Sequence, residues 1–146
     1  MRDALTELPS SWRDLTETLP ARTEPLVFVL VLNYQSLGDT IECVTALRAS
    51  DYPNFRLLVI DNASPDDSGS QLAAQIPPGE LLRLPTNTGY AGGNNIGMGI
   101  AMEAGAKYVY ILNPDVRVGI STISECARTV ESDPFIGAVN YVQLGD

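Results

Sequence analysis

The sequence predicts an α/β protein built on a mostly parallel sheet of about five strands, with helices on both faces. Three observations carry that expectation. Leu26–Leu32 (LVFVLVL) is an unbroken apolar run, the pattern of a strand buried on both faces. Short apolar runs then alternate with segments of helical character as far as the C-terminus, which implies right-handed crossovers between parallel strands. Three of those apolar runs also end on asparagine or aspartate: Asn33-Tyr34, Asp61-Asn62 and Asn113-Pro-Asp115. In a parallel sheet such ends share one edge, where ligands bind.

Residues 1–25 stand apart, as a flexible or partly helical tail. Pro9, Pro20 and Pro25 punctuate them. Leu5, Leu8, Trp12, Leu15 and Leu19 keep helical spacing, yet Pro9 forbids one continuous helix. Ser11 followed by Asp14 suits the cap of a short helix from Trp12 to about Thr18, either mobile or clipped against the domain or a partner. After the first strand, Asp39–Ala49 reads as a helix with Ile41, Val44 and Leu47 on one side, and Asp51-Tyr-Pro-Asn54 as a turn. Phe55–Ile60 is the second strand and Ser68–Ile76 the second helix, broken by Pro77-Pro78-Gly79. Leu81–Leu84 is a short third strand. A glycine-rich stretch precedes a helix over Asn94–Ala104. Tyr108–Leu112 is the fourth strand, stopped by Pro114, which has no N–H for the ladder and holds Asn113 extended. Thr122–Glu131 is a helix and Ile136–Val142 a fifth strand.

Composition removes several function classes. The 146 residues suffice for one domain with a real core, and 45% hydrophobic content fits an ordinary globular protein. A net charge of −9 repels a phosphate backbone, so nucleic acid is not an expected partner. The chain has no histidine, which excludes Ser-His-Asp and Cys-His catalysis and histidine-bound zinc. Cys43 and Cys126 form neither a metal pattern nor a disulfide framework, and read as reduced thiols of a cytoplasmic protein. No segment approaches the ~20 apolar residues of a membrane helix, and residues 1–25 lack the apolar core of a signal peptide.

The chemistry concentrates at the strand ends and in Asn87-Thr-Gly-Tyr-Ala-Gly-Gly-Asn-Asn-Ile-Gly97. Gly89, Gly92 and Gly93 allow a tight turn and close approach to a ligand, and the following helix offers N–H groups to an anion such as a diphosphate. Asp115 is either a turn aspartate or the ligand of a hard divalent cation. Beside a diphosphate about 4 Å away it would be repelled by roughly 4 kcal/mol, so a cation is needed between them. Mg²⁺ or Mn²⁺ takes one or two carboxylates with phosphate oxygens and water. The glycines follow the third strand rather than the first, unlike a dinucleotide fingerprint, and no P-loop is present.

Val31-Leu-Asn-Tyr-Gln-Ser36, Val59-Ile-Asp-Asn-Ala-Ser64, Asn87–Asn95 and Leu112-Asn-Pro-Asp115 resemble, in order and spacing, the successive motifs of family-2 glycosyltransferases. The nearest likeness is to bacterial rhamnosyltransferase-like members, with a role in cell-surface polysaccharide. The resemblance runs from about Leu26 to Asp115 and implies a GT-A fold and a UDP- or dTDP-sugar donor. It places Tyr34 beside the base and Asp61 bonding it, with Asn33 and Asn62 among the nucleotide-sugar-binding residues at the same edge. Gly89, Ala91, Gly92, Gly93 and Asn94 would line the ribose and diphosphate. Asn113 and Asp115 would stand for the metal-binding D-x-D pair, with Asp115 on Mg²⁺ or Mn²⁺.

Asn113 departs from that pair by offering a neutral amide. The family domains also continue past this length into a half that binds a glycan or lipid-linked acceptor and carries the catalytic base. The resemblance therefore implies an inverting, metal-dependent enzyme of which residues 26–146 are the donor-binding half, with no catalytic residue assigned. Such a piece is expected to bind nucleotide without transferring sugar. It would be cytoplasmic, or peripheral at the inner membrane face, and its unfinished sheet edge could pair it into a homo-oligomer. The competing reading is a non-catalytic nucleotide-sugar-binding module. A sugar-1-phosphate nucleotidyltransferase, a third reading, would begin with a basic glycine-rich loop after the first strand, which this sequence lacks.

Overall fold

The computed structural model describes residues 23–140 together with Thr16. The short helix expected from Trp12 to about Thr18 therefore lies, Thr16 apart, outside the described residues. In order, the elements are β1 (Val27–Asn33), α1 (Leu37–Arg48), β2 (Phe55–Asp61), α2 (Ser68–Gln75), a 3-10 turn at Pro78–Glu80, β3 (Leu81–Arg83), α3 (Gly89–Glu103), β4 (Tyr108–Leu112) and α4 (Thr122–Glu131). The strands form one parallel sheet in the order β3-β2-β1-β4.

Alternate side chains of a strand point to opposite faces, so a strand covered on both must be apolar throughout. β1 is central, and all seven of its residues are buried. Val27, Val29 and Val31 pack with Leu57 and Val59 of β2 beneath Cys43, Val44 and Leu47 of α1, Leu72 of α2 and Ile123 and Ala127 of α4. Phe28, Leu30 and Leu32 pack with Leu58 and Ile60 beneath Ile96, Ile100 and Ala101 of α3. Among the described residues, three helices thus cover one face and α3 alone carries the other.

The start of α3 differs from the sequence expectation. The helix begins at Gly89 rather than Asn94, so Gly92 and Gly93 lie inside it and not in a loop. Tertiary packing explains the difference. A Cβ on Gly93 would stand 2.5 Å from Leu32 Cδ1, and one on Gly97 2.7 Å from Ile60 Cδ1. These glycines admit the helix close onto the sheet and so outweigh their poor intrinsic helix propensity.

The expected fifth strand also differs. Residues 136–140 are irregular, and the rest of Ile136–Val142 lies outside the described residues. Asp133 holds the preceding turn: its Oδ1 accepts from the Phe135 N–H at 2.9 Å and its carbonyl from the Ile136 N–H at 3.1 Å. Among the described residues, β4 pairs with β1 only.

From β1 the chain winds outward to β2 and β3, then returns to place β4 on the opposite side of β1. The crevice between the C-terminal ends of β1 and β4 is therefore the topological switch point of the sheet.

Candidate functional site

At that switch point lies a cavity of about 420 Å³, a size suited to a small ligand. It collects Tyr34 and Ser36 after β1, Asp39 in the first turn of α1, Asn62 after β2, Asn87, Gly89 and Tyr90 at the start of α3, and Asn113, Pro114 and Asp115 after β4. Of the sequence-predicted residues, Tyr34, Asn62, Gly89, Asn113 and Asp115 are thus brought together. Asn33, Asp61, Ala91, Gly92, Gly93 and Asn94 do not line the cavity.

The residues set back from it form its frame. Asn33 is fully buried; its Nδ2 donates to Asp61 Oδ1 at 2.9 Å and to Ser64 Oγ at 3.1 Å, and its Oδ1 accepts from Thr40 at 2.9 Å. Ser64 in turn donates to Asp61 Oδ1 at 2.6 Å and accepts from the Gln35 N–H at 3.0 Å. One hydroxyl therefore fastens the exits of β1 and β2 to each other. Both exits need it, because Gln35 (φ 56°) and Ala63 (φ 55°) sit in the left-handed region that side chains resist. Asp61 is only 2% exposed, and among the described residues its Oδ2 meets Arg83 Nε at a long 3.9 Å.

Asn62 has a different task. Its Nδ2 donates to Asn87 Oδ1 at 3.1 Å and to the Gly89 carbonyl at 3.2 Å. Its Oδ1 accepts from the Thr88 N–H at 3.0 Å and the Thr88 hydroxyl at 3.2 Å. The buried carboxamide thereby clamps the turn that launches α3. Asn87 adds a bond from its Oδ1 to the Gly89 N–H at 2.8 Å, and Gly89 completes the turn at φ +73°. The N-cap Thr88 makes no side-chain cap bond and Asn87 takes only the Gly89 N–H, so the other first-turn N–H groups and the positive dipole end of α3 lie at the ligand edge. Asn94 donates to the Tyr90 carbonyl at 3.0 Å, while its buried Oδ1 accepts no hydrogen bond among the described residues.

Asp115 and Asn113 are exposed, and Asp115 has no ion pair among the described residues. Asp115 and Asp39 also line a neighbouring hollow with Cys43. Burial, and then the Asp115 charge, push the Cys43 thiol up to about 11. No group of three or more His, Cys, Asp or Glu among the described residues could hold a metal unaided. One or two carboxylates open to a ligand do fit Mg²⁺ or Mn²⁺, which complete their shells with phosphate oxygens and water. Of the cavity residues, the sequence did not single out Ser36, Asp39 or Asn87, and reached Tyr90 only as part of the loop from Gly89 to Asn94. Asp39 had been read only as a helix start; Asn87 and Tyr90 fell within the glycine-rich stretch, where the glycines drew the reading.

The model of the glycosyl transferase family 2 matches residues 28–145. No curated protein matches the sequence. Among solved structures, a mannosyltransferase from Pyrobaculum calidifontis, in complex with GDP-Man and Mn²⁺, superposes with a TM-score of 0.71 at 24% identity over 97% of this chain and 43% of its own. S. aureus TarS 1-349 in complex with UDP gives 0.58 at 22% identity, over 73% of this chain and 32% of its own. The same protein in complex with UDP-GlcNAc gives 0.58 at 22% identity, over 73% of this chain and 31% of its own. These likenesses show the fold, and the chain spans less than half the length of either protein.

Proposed function

Because the chain belongs to glycosyl transferase family 2, we propose that it supplies the donor site of a nucleotide-sugar-dependent, inverting glycosyltransferase. The observation that carries this is the cavity at the β1–β4 switch point, where Tyr34, Gly89, Asn113 and Asp115 converge from three separate parts of the chain. Tyr34 offers its ring to a base, and the start of α3 offers the first-turn N–H groups beyond Gly89 to a diphosphate. Asp115 and Asp39 add negative charge beside that diphosphate, which a divalent cation must offset. Asp115 would hold the cation, with Asn113 as a neutral neighbour. The cation's chemistry is to stabilise the nucleoside diphosphate as it leaves. Asp61 is assigned to read a ring N–H of uracil or thymine, a role that requires the base to reach past the cavity lining to a carboxylate only 2% exposed.

In such a transfer an acceptor hydroxyl attacks the anomeric carbon while a carboxylate takes its proton. No described residue is assigned that role. UDP or dTDP as the donor nucleotide, a rhamnosyl or related sugar, and a glycan or lipid-linked acceptor rest on the motif resemblance alone.

Calorimetry with UDP and dTDP, with and without Mn²⁺, tests the proposal. Mn²⁺ is expected to strengthen binding, and Asp115→Ala to remove that gain, a loss of about tenfold or more. Asn113→Asp is expected to retain or raise it by restoring a second carboxylate. Metal-dependent affinity unchanged in Asp115→Ala removes that residue from the cation site.

A further inference from the structure

Tyr34 lies in the exit of β1, where the chain passes from strand to helix. The residues on both sides of it are held by one group. Ser64 Oγ accepts from the Asn33 side chain at 3.1 Å and from the Gln35 N–H at 3.0 Å. We propose that Ser64, which does not itself line the cavity, is the residue that positions Tyr34 for the nucleobase, and that its hydroxyl thereby sets nucleoside affinity. This inference rests on the nucleotide reading of the cavity.

The chemistry of a hydroxyl fits this post. It has one proton to donate and two lone pairs with which to accept. Ser64 donates its proton to Asp61 Oδ1 at 2.6 Å, so both lone pairs remain for Asn33 and Gln35. The Asp61 carboxylate can only accept, and it therefore fixes which way the proton points. The bond to Gln35 matters most for Tyr34. Gln35 sits at φ 56°, a conformation that a side chain resists. Without an acceptor for its N–H it relaxes toward negative φ, and the peptide joining it to Tyr34 turns with it. Gln35 is exposed, so water can replace the lost bond but not the direction in which it pulls.

The hydroxyl is also presented from a stiff turn. Pro65 follows Ser64 and disfavours the helical conformation there. Asn62, two residues before it, clamps the start of α3 through Thr88 and Gly89. Close neighbours in one turn therefore hold opposite banks of the cavity. Ser64 holds the bank that carries Tyr34, and Asn62 the bank offered to the diphosphate. A base and a diphosphate joined through one ribose have a limited span, so the two banks must keep their separation. Loss of the Ser64 hydroxyl releases one bank only, that of the base.

Calorimetry in Mn²⁺ compares pyrophosphate with whichever of UDP and dTDP binds better. Ser64→Ala is expected to weaken the nucleotide about fivefold and pyrophosphate less than about twofold. Ser64→Cys keeps the shape with a weak donor and acceptor, and carries the same expectation should alanine cost the fold. In a Tyr34→Ala background, the Ser64 substitution is expected to cost the nucleotide nothing further, since the ring it positions is gone. Equal losses for nucleotide and pyrophosphate, or no loss in either variant, overturn the positioning role while leaving the nucleotide site standing. The same loss with and without the Tyr34 ring overturns it too, because a purely structural serine would behave so. Failure of the unaltered protein to bind UDP or dTDP overturns the nucleotide reading, and this inference with it.

Discussion

Replacing Asn62 by alanine removes four hydrogen bonds from one buried carboxamide. Two are donated, to Asn87 Oδ1 and the Gly89 carbonyl, and two accepted, from the N–H and hydroxyl of Thr88. At about 0.5–1.5 kcal/mol each, the sum would be about 2–6 kcal/mol. Asn87, Thr88 and Gly89 are exposed, however, so water can take up part of what the side chain releases. A loss of about 1.5–3 kcal/mol is therefore expected for Asn62→Ala. Asn62→Asp should be worse than alanine, since a carboxylate would turn lone pairs toward Asn87 Oδ1 and the Gly89 carbonyl. Urea unfolding of both variants measures the cost, and hydrogen exchange reads the protection of the first turn of α3. A loss below about 0.5 kcal/mol for alanine, or an aspartate variant more stable than alanine, would refute the clamp.

Three further outcomes are expected. Asp61→Ala should weaken UDP or dTDP more than pyrophosphate in competition binding; equal losses would reduce Asp61 to its role in the Asn33–Ser64 frame. Gly97→Ala should destabilise by about 1–2 kcal/mol in urea despite alanine's better helix propensity, because its Cβ meets Ile60 and Leu30, whereas Gly38→Ala, with nothing within 4 Å, should be neutral or stabilising. Cys43 stays protonated in the folded state up to about pH 11, against an ordinary value of 9.0, so its contribution is complete below pH 9 and is lost as pH rises toward 11. The decline amounts to at most about 2–3 kcal/mol, and urea midpoints at pH 8 and 10.5 should show a shallower pH slope in Cys43→Ala than in the unaltered protein.

The sheet was legible because its central strand is buried on both faces. Such a strand shows a continuous apolar run, and no helix of that length in a small domain would be apolar all round. Strand exits were legible for a related reason: Asn33, Asp61 and Asn113 interrupt apolar runs with side chains that a core does not tolerate unpaired. What those side chains do there was not legible. Asn62 and Asn33 read as ligand contacts; that they also act as clamp and frame was not legible, because their hydrogen-bond partners lie 25 to 31 residues away on other elements. The start of α3 was misplaced because glycine signals a loop when seen alone. Its real reason, the approach of Leu32 and Ile60, belongs to other strands. Asp39 entered the cavity unannounced for the same kind of reason, since the placement of α1 over the sheet decides where its first turn points.

Because, among the described residues, α3 alone covers its face of the sheet, it behaves as a rod of about 22 Å with the switch-point cavity at one tip. Ile100 and Ala101, fully buried near the other end, set how far that rod slides along the strands. A slip there is transmitted undiminished to Gly89 and Tyr90, since a helix stretches very little along its axis. Substitutions in this distant part of the core can therefore retune ligand affinity without touching a ligand, and a screen for altered donor preference would recover them beside those in the cavity itself.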